Sequence, residues 1–168
     1  ELLGDGALAA GDVVLVQVAS PSRERVAAYM QLRDEVELTV GRINGDHSSV
    51  GSAVISYLHQ GFPREEMAAL YVAADVMLVT ALRDGMNLVA KEYVASRFDE
   101  DGVLVLSEFT GAADELSRAL LVNPHDIEGI KEAILEAVRM PKRSRRARMR
   151  SLRRRVAEHD VAAWSAEF

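Results

Sequence analysis

Short apolar runs alternate along this chain with longer stretches in which apolar residues recur at helical spacing. The runs at 13–18, 53–58, 76–80, 103–106 and 120–122 are rich in Val, Leu and Ile and predict strands. Val76-Met77-Leu78-Val79-Thr80 is apolar almost throughout, as a strand covered on both faces should be. Helical spacing covers 23–40, 63–73, 87–97 and 112–116, with longer stretches at 127–140 and from Lys142 onward. Pro63 and Pro124 stand where prolines open or precede helices. Strand and helix in alternation predict an α/β fold: a doubly wound parallel sheet with helices on both faces. No repeat or low-complexity linker interrupts the pattern, so residues 1–168 read as one domain that includes C-terminal helices over 126–168. Ligands of such sheets bind at the carboxyl ends of the strands.

The third strand leads into the segment richest in chemistry. After Thr80, Ala81-Leu82-Arg83-Asp84-Gly85 breaks the apolar pattern, and helical spacing resumes at Asn87. A strand, a tight loop and a helix N-terminus bring unpaired N–H groups and the helix dipole together, an arrangement that suits an anion such as phosphate. Asp84 lies in the turn, where its carboxylate can accept bonds from sugar hydroxyls. Glu92 follows Leu88 by four residues, one turn further on the same face and about 6 Å along the axis. A ligand with its hexose at Asp84, phosphates at the N–H groups of Leu88 and Val89, and ribose diol at Glu92 has about the right length. The same residues also describe a helix with an acidic first turn and a surface glutamate, and spacing alone leaves both readings open.

Composition narrows the class. With 49% apolar and 27% charged residues, 168 residues are enough for a real core. No apolar run is long enough to span a bilayer, and Glu1-Leu2-Leu3-Gly4-Asp5-Gly6 lacks a basic start and cleavage pattern. Neither a signal peptide nor a membrane anchor is expected. The absence of cysteine excludes disulfides and thiolate metal sites and fits a cytoplasmic protein. His47, His59, His125 and His159 are scattered without zinc-ligand spacing, so no metal is expected. The net charge of −6 argues against a general polyanion binder. The basic run from Lys142 to Arg155 keeps roughly one apolar residue per turn through Ala147, Met149, Leu152 and Val156, and carries no aromatic residue for base stacking. It predicts an amphipathic helix with a solvated or acid-paired face, and no nucleic-acid partner.

Asp75-Val76-Met77-Leu78-Val79-Thr80 followed by Leu82-Arg83-Asp84-Gly85-Met86-Asn87-Leu88-Val89-Ala90-Lys91-Glu92-Tyr93-Val94-Ala95 closely resembles the donor-site motif of trehalose-6-phosphate synthases. Further matches run through Gln17-Val18-Ala19 with Ser22-Arg23, Gly41-Arg42-Ile43-Asn44-Gly45, and Val105-Leu106-Ser107-Glu108-Phe109-Thr110-Gly111-Ala112-Ala113. Leu121-Val122-Asn123-Pro124 and the closing His159-Asp160-Val161 with Trp164 and Phe168 complete the series in the family's order.

The resemblance implies a retaining glycosyltransferase of two Rossmann-like domains, which moves glucose from a nucleoside diphosphate donor to glucose 6-phosphate and gives α,α-trehalose 6-phosphate. This chain resembles the C-terminal, donor-binding domain only. The family's Arg-Leu-Asp-Tyr-x-Lys-Gly segment, whose arginine and lysine grip the pyrophosphate, has no counterpart in these 168 residues, and neither has the acceptor-binding N-terminal domain. The chain alone is therefore expected to be inactive. The alternative is a free-standing nucleotide-sugar-binding or regulatory module.

By resemblance, Asp84 and the backbone of Gly85, Met86 and Asn87 orient the donor glucose. Leu88 and Val89 face phosphate through N–H groups, and Glu92 holds ribose. Phe62 and Met67 match residues that meet uracil largely through backbone groups, although Phe62 also reads as a loop residue covering the sheet edge. UDP-glucose is the default donor, other NDP-glucoses remain open, and no cofactor or metal is required. Arg42 through His47 is expected to be a helix end and a flap, with Asn44-Gly45 as a turn. Ala81 departs from the family's usual proline. Partners are the nucleotide sugar and, in a full-length parent, glucose 6-phosphate and the N-terminal domain. Whether a homo-oligomer forms stays open, and no membrane is involved.

Overall fold

A computed structural model describes residues 1–22 and 24–159. The expected features at Arg23, Asp160, Val161, Trp164 and Phe168 lie outside the described residues. The chain divides into two compact units, Glu1–Pro63 and Arg64–Phe168.

The first unit contains strand β1 (Leu15–Val18), helix α1 (Ala27–His47) and strand β2 (Ile55–Leu58). The strands pair in parallel, from Leu15 opposite Ile55 to Val18 opposite Leu58. Contrary to the expected turn and flap, Asn44-Gly45 lies inside α1. The Asn44 amide supplies the reason. Its Nδ2 donates to the Ile55 carbonyl at 2.9 Å, while its Oδ1 accepts from the Ile55 N–H at 2.9 Å and from the Ser48 hydroxyl at 3.2 Å. Two-point pairing with strand backbone outweighs the residue's preference for turns.

The second unit runs α2 (Arg64–Ala73), β3 (Val76–Val79), α3 (Leu88–Ser96), β4 (Val103–Ser107), α4 (Ala112–Glu115), β5 (Leu120–Val122), α5 (Ile127–Arg139) and α6 (Lys142–Glu158). Its three strands are parallel in the order β3-β4-β5. The fold is α/β with helices on both faces of parallel strands, as the alternating pattern predicts, and the strands are distributed over two sheets, one in each unit.

Every residue of the central strand β4 is buried. Leu104 and Leu106 enter a cluster with Tyr93, Val94, Leu116, Met149 and Leu152, whereas Val103 and Val105 enter a second with Val122, Ala133 and Ala137. The period of two thus sends alternate residues of one apolar run to opposite helical layers.

Helix α3 is tied down at its C-terminal end by ionic and polar contacts. The Tyr93 hydroxyl donates to the Ala74 carbonyl at 3.2 Å. The buried Arg97 guanidinium donates through Nη1 to the carbonyls of Val72 and Ala74, both at 2.7 Å, and pairs through Nη2 with Asp99 at 2.9 Å. These carbonyls belong to the end of α2 and the turn beyond it, so Arg97 satisfies acceptors that a helix terminus leaves over.

The arginines of α6 are engaged in the same way. Arg153 donates to the carbonyls of Val94 and Ala95, at 3.1 and 2.7 Å, near the end of α3. Arg145 and Arg150 pair with Asp101 and Glu100 at 2.9 and 2.8 Å. The basic run is thus the amphipathic, acid-paired helix that its spacing predicts.

Arg97→Ala should destabilise the chain by about 3 kcal/mol in urea unfolding, because hydrogen bonds to a charged group contribute about 1.5–3 kcal/mol each and buried carbonyls are left unmet. A loss within experimental error would show that water satisfies these carbonyls.

Candidate functional site: the loop between β3 and α3

The loop leaving β3 is fastened to the turn that leaves β4. Asp84 N–H donates to the Phe109 carbonyl at 3.2 Å, and Gly111 N–H donates to the Gly85 carbonyl at 2.8 Å. Asp84 and Thr110 accordingly form a parallel bridge beyond the regular sheet. The backbones come so close that a Cβ at position 111 would overlap the Gly85 carbonyl oxygen, so glycine is required there. The buried Thr110 turns its hydroxyl back to the Ser107 carbonyl at 2.9 Å, which holds the second turn rigid. Both turns emerge at the carboxyl ends of their strands, as the sequence predicts.

Asn87 organises the loop. It occupies the left-handed region, with φ 63° and ψ 82°, where asparagine is among the few residues tolerated. Its Oδ1 accepts from Ala90 N–H at 2.9 Å, a helix cap, and its Nδ2 donates to Asp84 Oδ2, also at 2.9 Å. One side chain therefore caps α3 and aims the acid. The cap takes the third N–H of the helix, and no acceptor among the described residues meets the first two, those of Leu88 and Val89. The Leu88 and Val89 side chains, with that of Met86, are exposed despite being apolar.

One turn along the helix, Glu92 is exposed, and its Oε2 accepts from the Tyr71 hydroxyl at 3.1 Å. Tyr71 is buried, with its ring edge-on to Tyr93 at 6.4 Å. Burial first, and then the bond to Glu92, pushes the Tyr71 hydroxyl up to about 12, so it remains a donor through the neutral range. Lys91 faces the other way and pairs with Glu115 of α4 at 2.8 Å.

The second unit thus brings together Asp84, Gly85, Met86, Asn87, Leu88, Val89 and Glu92. Met67, on α2 of the same unit, is partly buried against the core. Phe62 is half-buried in the loop after β2 and belongs to the first unit. Spacing did not single out Tyr71, because its partner lies 21 residues away across a strand. The Asn87 side chain was also missed, although an asparagine directly before resumed helical spacing is a recognisable cap signal.

Among the described residues, no group of three or more His, Asp or Glu side chains is arranged to hold a metal ion, and no helix is long and apolar enough to cross a membrane. A cavity of about 440 Å³ between α5 and α6, lined in part by Leu135, Met140, Pro141 and Arg148, includes no residue of the 84–92 segment.

Glycosyltransferase family 20 matches residues 1–168. The chain belongs to this family. Among its members, the trehalose-6-phosphate synthase of Mycobacterium bovis is 59% identical over the whole chain, which spans only 34% of that relative. A crystal structure of a UDP-forming α,α-trehalose-phosphate synthase from Burkholderia xenovorans in complex with glucose-6-phosphate is 46% identical, with a TM-score of 0.89 over 93% of this chain and 34% of that one. A trehalose-6-phosphate structure from E. coli bound with UDP-2-fluoro glucose superposes with a TM-score of 0.94 at 40% identity, covering 98% of this chain and 37% of the other. The chain therefore spans about a third of the length of its family relatives.

Asn87→Ala should cost about 2 kcal/mol, combining a lost cap of about 1 kcal/mol with a strained left-handed residue at about 1–2 kcal/mol. Asn87→Gly relieves the strain and should cost much less, yet it should free the Asp84 carboxylate equally. Equal losses in thermal unfolding would contradict a strained loop.

Proposed function

We propose that this chain is the donor-binding part of a glycosyltransferase that moves glucose, with retention, from a nucleoside diphosphate glucose to glucose 6-phosphate, forming α,α-trehalose 6-phosphate. UDP-glucose is the donor of choice, since the E. coli structure is bound with a UDP-sugar analogue and the Burkholderia structure is in complex with glucose-6-phosphate. The observation that carries the reading is the Asn87 arrangement: a carboxylate held beside two helix N–H groups that lack an acceptor among the described residues.

In this reading Asp84 accepts from the glucose hydroxyls, helped by the backbone of Gly85, Met86 and Asn87. The Leu88 and Val89 N–H groups stabilise negative charge growing on the leaving phosphate. Glu92 holds the ribose diol, and Met67, on α2 of the same unit, contributes a backbone contact to the base. The reaction needs no protein nucleophile if acceptor and leaving phosphate share one face of the sugar, so positioning and charge stabilisation do the catalytic work. No metal enters this scheme, and a cytoplasmic setting fits its soluble substrates.

The sequence lacks the Arg-Leu-Asp-Tyr-x-Lys-Gly segment, and losing one such charge-stabilising donor slows transfer by about 100- to 1,000-fold. Incubating the chain with UDP-glucose and glucose 6-phosphate should therefore give no trehalose 6-phosphate above background. Clear turnover by a preparation of verified mass would overturn this division of labour.

The two acids can be separated by binding. Asp84→Ala should weaken UDP-glucose binding about tenfold or more while leaving UDP nearly untouched, whereas Glu92→Ala should weaken both. NMR titration suits the weak affinities expected. Equal losses for both ligands in both variants would sink the assignment.

A further inference from the structure

The contact between Tyr71 and Glu92 joins a buried residue of one helix to an exposed residue of another, and the proposed donor site leaves Tyr71 without a role. We infer that Tyr71 is a positioning residue: it fixes the Glu92 carboxylate so that the pair selects a ribonucleotide over its 2′-deoxy counterpart. The inference rests on the reading of Glu92 as the ribose ligand.

An exposed glutamate on a helix samples many rotamers, and each bond it makes to a ligand must overcome that freedom. Glu92 is constrained from the protein side. Tyr71 is 6% exposed and its ring lies edge-on to that of the fully buried Tyr93, so its hydroxyl has little room to move. Arg97, directly after α3, grips the end of α2 through the carbonyls of Val72 and Ala74, which fixes the two helices against each other at this point. The hydroxyl then meets Glu92 Oε2 at 3.1 Å and sets the carboxylate's direction.

A carboxylate has about four acceptor sites, and Tyr71 occupies one, so enough remain for both hydroxyls of a ribose diol. A ligand lacking the 2′-hydroxyl leaves one of these oriented acceptors unmet. Sites built around a substrate hydroxyl reject analogues without it more strongly than loosely held groups do.

The test compares UDP with 2′-deoxy-UDP by NMR titration of the chain, reading the ratio of the two dissociation constants so that base and phosphate contributions cancel. The unmodified chain should favour UDP by about tenfold. Tyr71→Phe, which keeps the ring and removes only the hydroxyl, should reduce that ratio to about threefold or less, mainly by weakening UDP, with 2′-deoxy-UDP changed by less than about twofold. Glu92→Gln should also collapse the ratio, and adding Tyr71→Phe to it should change neither constant further.

A Tyr71→Phe chain that keeps the full ratio while Glu92→Gln loses it would overturn the positioning role and leave the ribose reading standing. A ratio untouched by Glu92→Gln would overturn both. The unmodified chain offers a readout that needs no folded variant: the side-chain signals of Tyr71 should shift more at saturation with UDP than with 2′-deoxy-UDP. Identical shifts with the two ligands would overturn the inference.

Discussion

The site depends on one residue in a conformation that most side chains avoid. Asn87 turns the chain from loop to helix at positive φ, and its amide spends both ends on local bonds, one to the helix and one to Asp84. Without the left-handed turn the helix would begin elsewhere. Without the cap, Ala90 N–H would compete with Leu88 and Val89 for whatever anion approached. The geometry holds an acid at a helix start whose first two N–H groups meet no acceptor among the described residues.

Support for that turn comes from further away. The loop before Asn87 is bonded to the turn after β4 through Gly85 and Gly111, where two backbones approach too closely for any side chain. The far end of α3 is held by Arg97 and by Arg153 from α6. A nine-residue helix is too short to be stable alone, so its position comes from these tertiary contacts rather than from propensity. The apolar face of α3 contributes Ala90, Tyr93 and Val94 to the core, which leaves Leu88, Val89 and Glu92 on the exposed side, and Asp84 is exposed in the loop before them.

Much of this was legible in the sequence. In the second unit the strands and helices follow the periodicities of two and 3.6 because burial is decided by a three-stranded sheet between two helical layers, and β4 displays that rule residue by residue. The Asp84 to Glu92 segment stood out because its chemistry is local, with acid, turn and helix start consecutive in the chain. What the sequence hid was non-local. Asn44 looked like a turn because its partner, the Ile55 backbone, lies eleven residues on. Tyr71 carried no local signal, and the spacing of the α6 arginines left a solvated or an acid-paired face open until their carbonyl and carboxylate partners were located.

The central claim is that the first N–H groups of α3 receive the phosphate of a nucleotide sugar. Backbone amide shifts recorded while UDP is titrated into 15N-labelled chain address it directly. The account predicts that Leu88 and Val89 show the largest downfield amide-proton shifts, while Ala90, already bonded to Asn87, moves little. Saturable shifts confined to other segments, with Leu88 and Val89 unmoved, would contradict it.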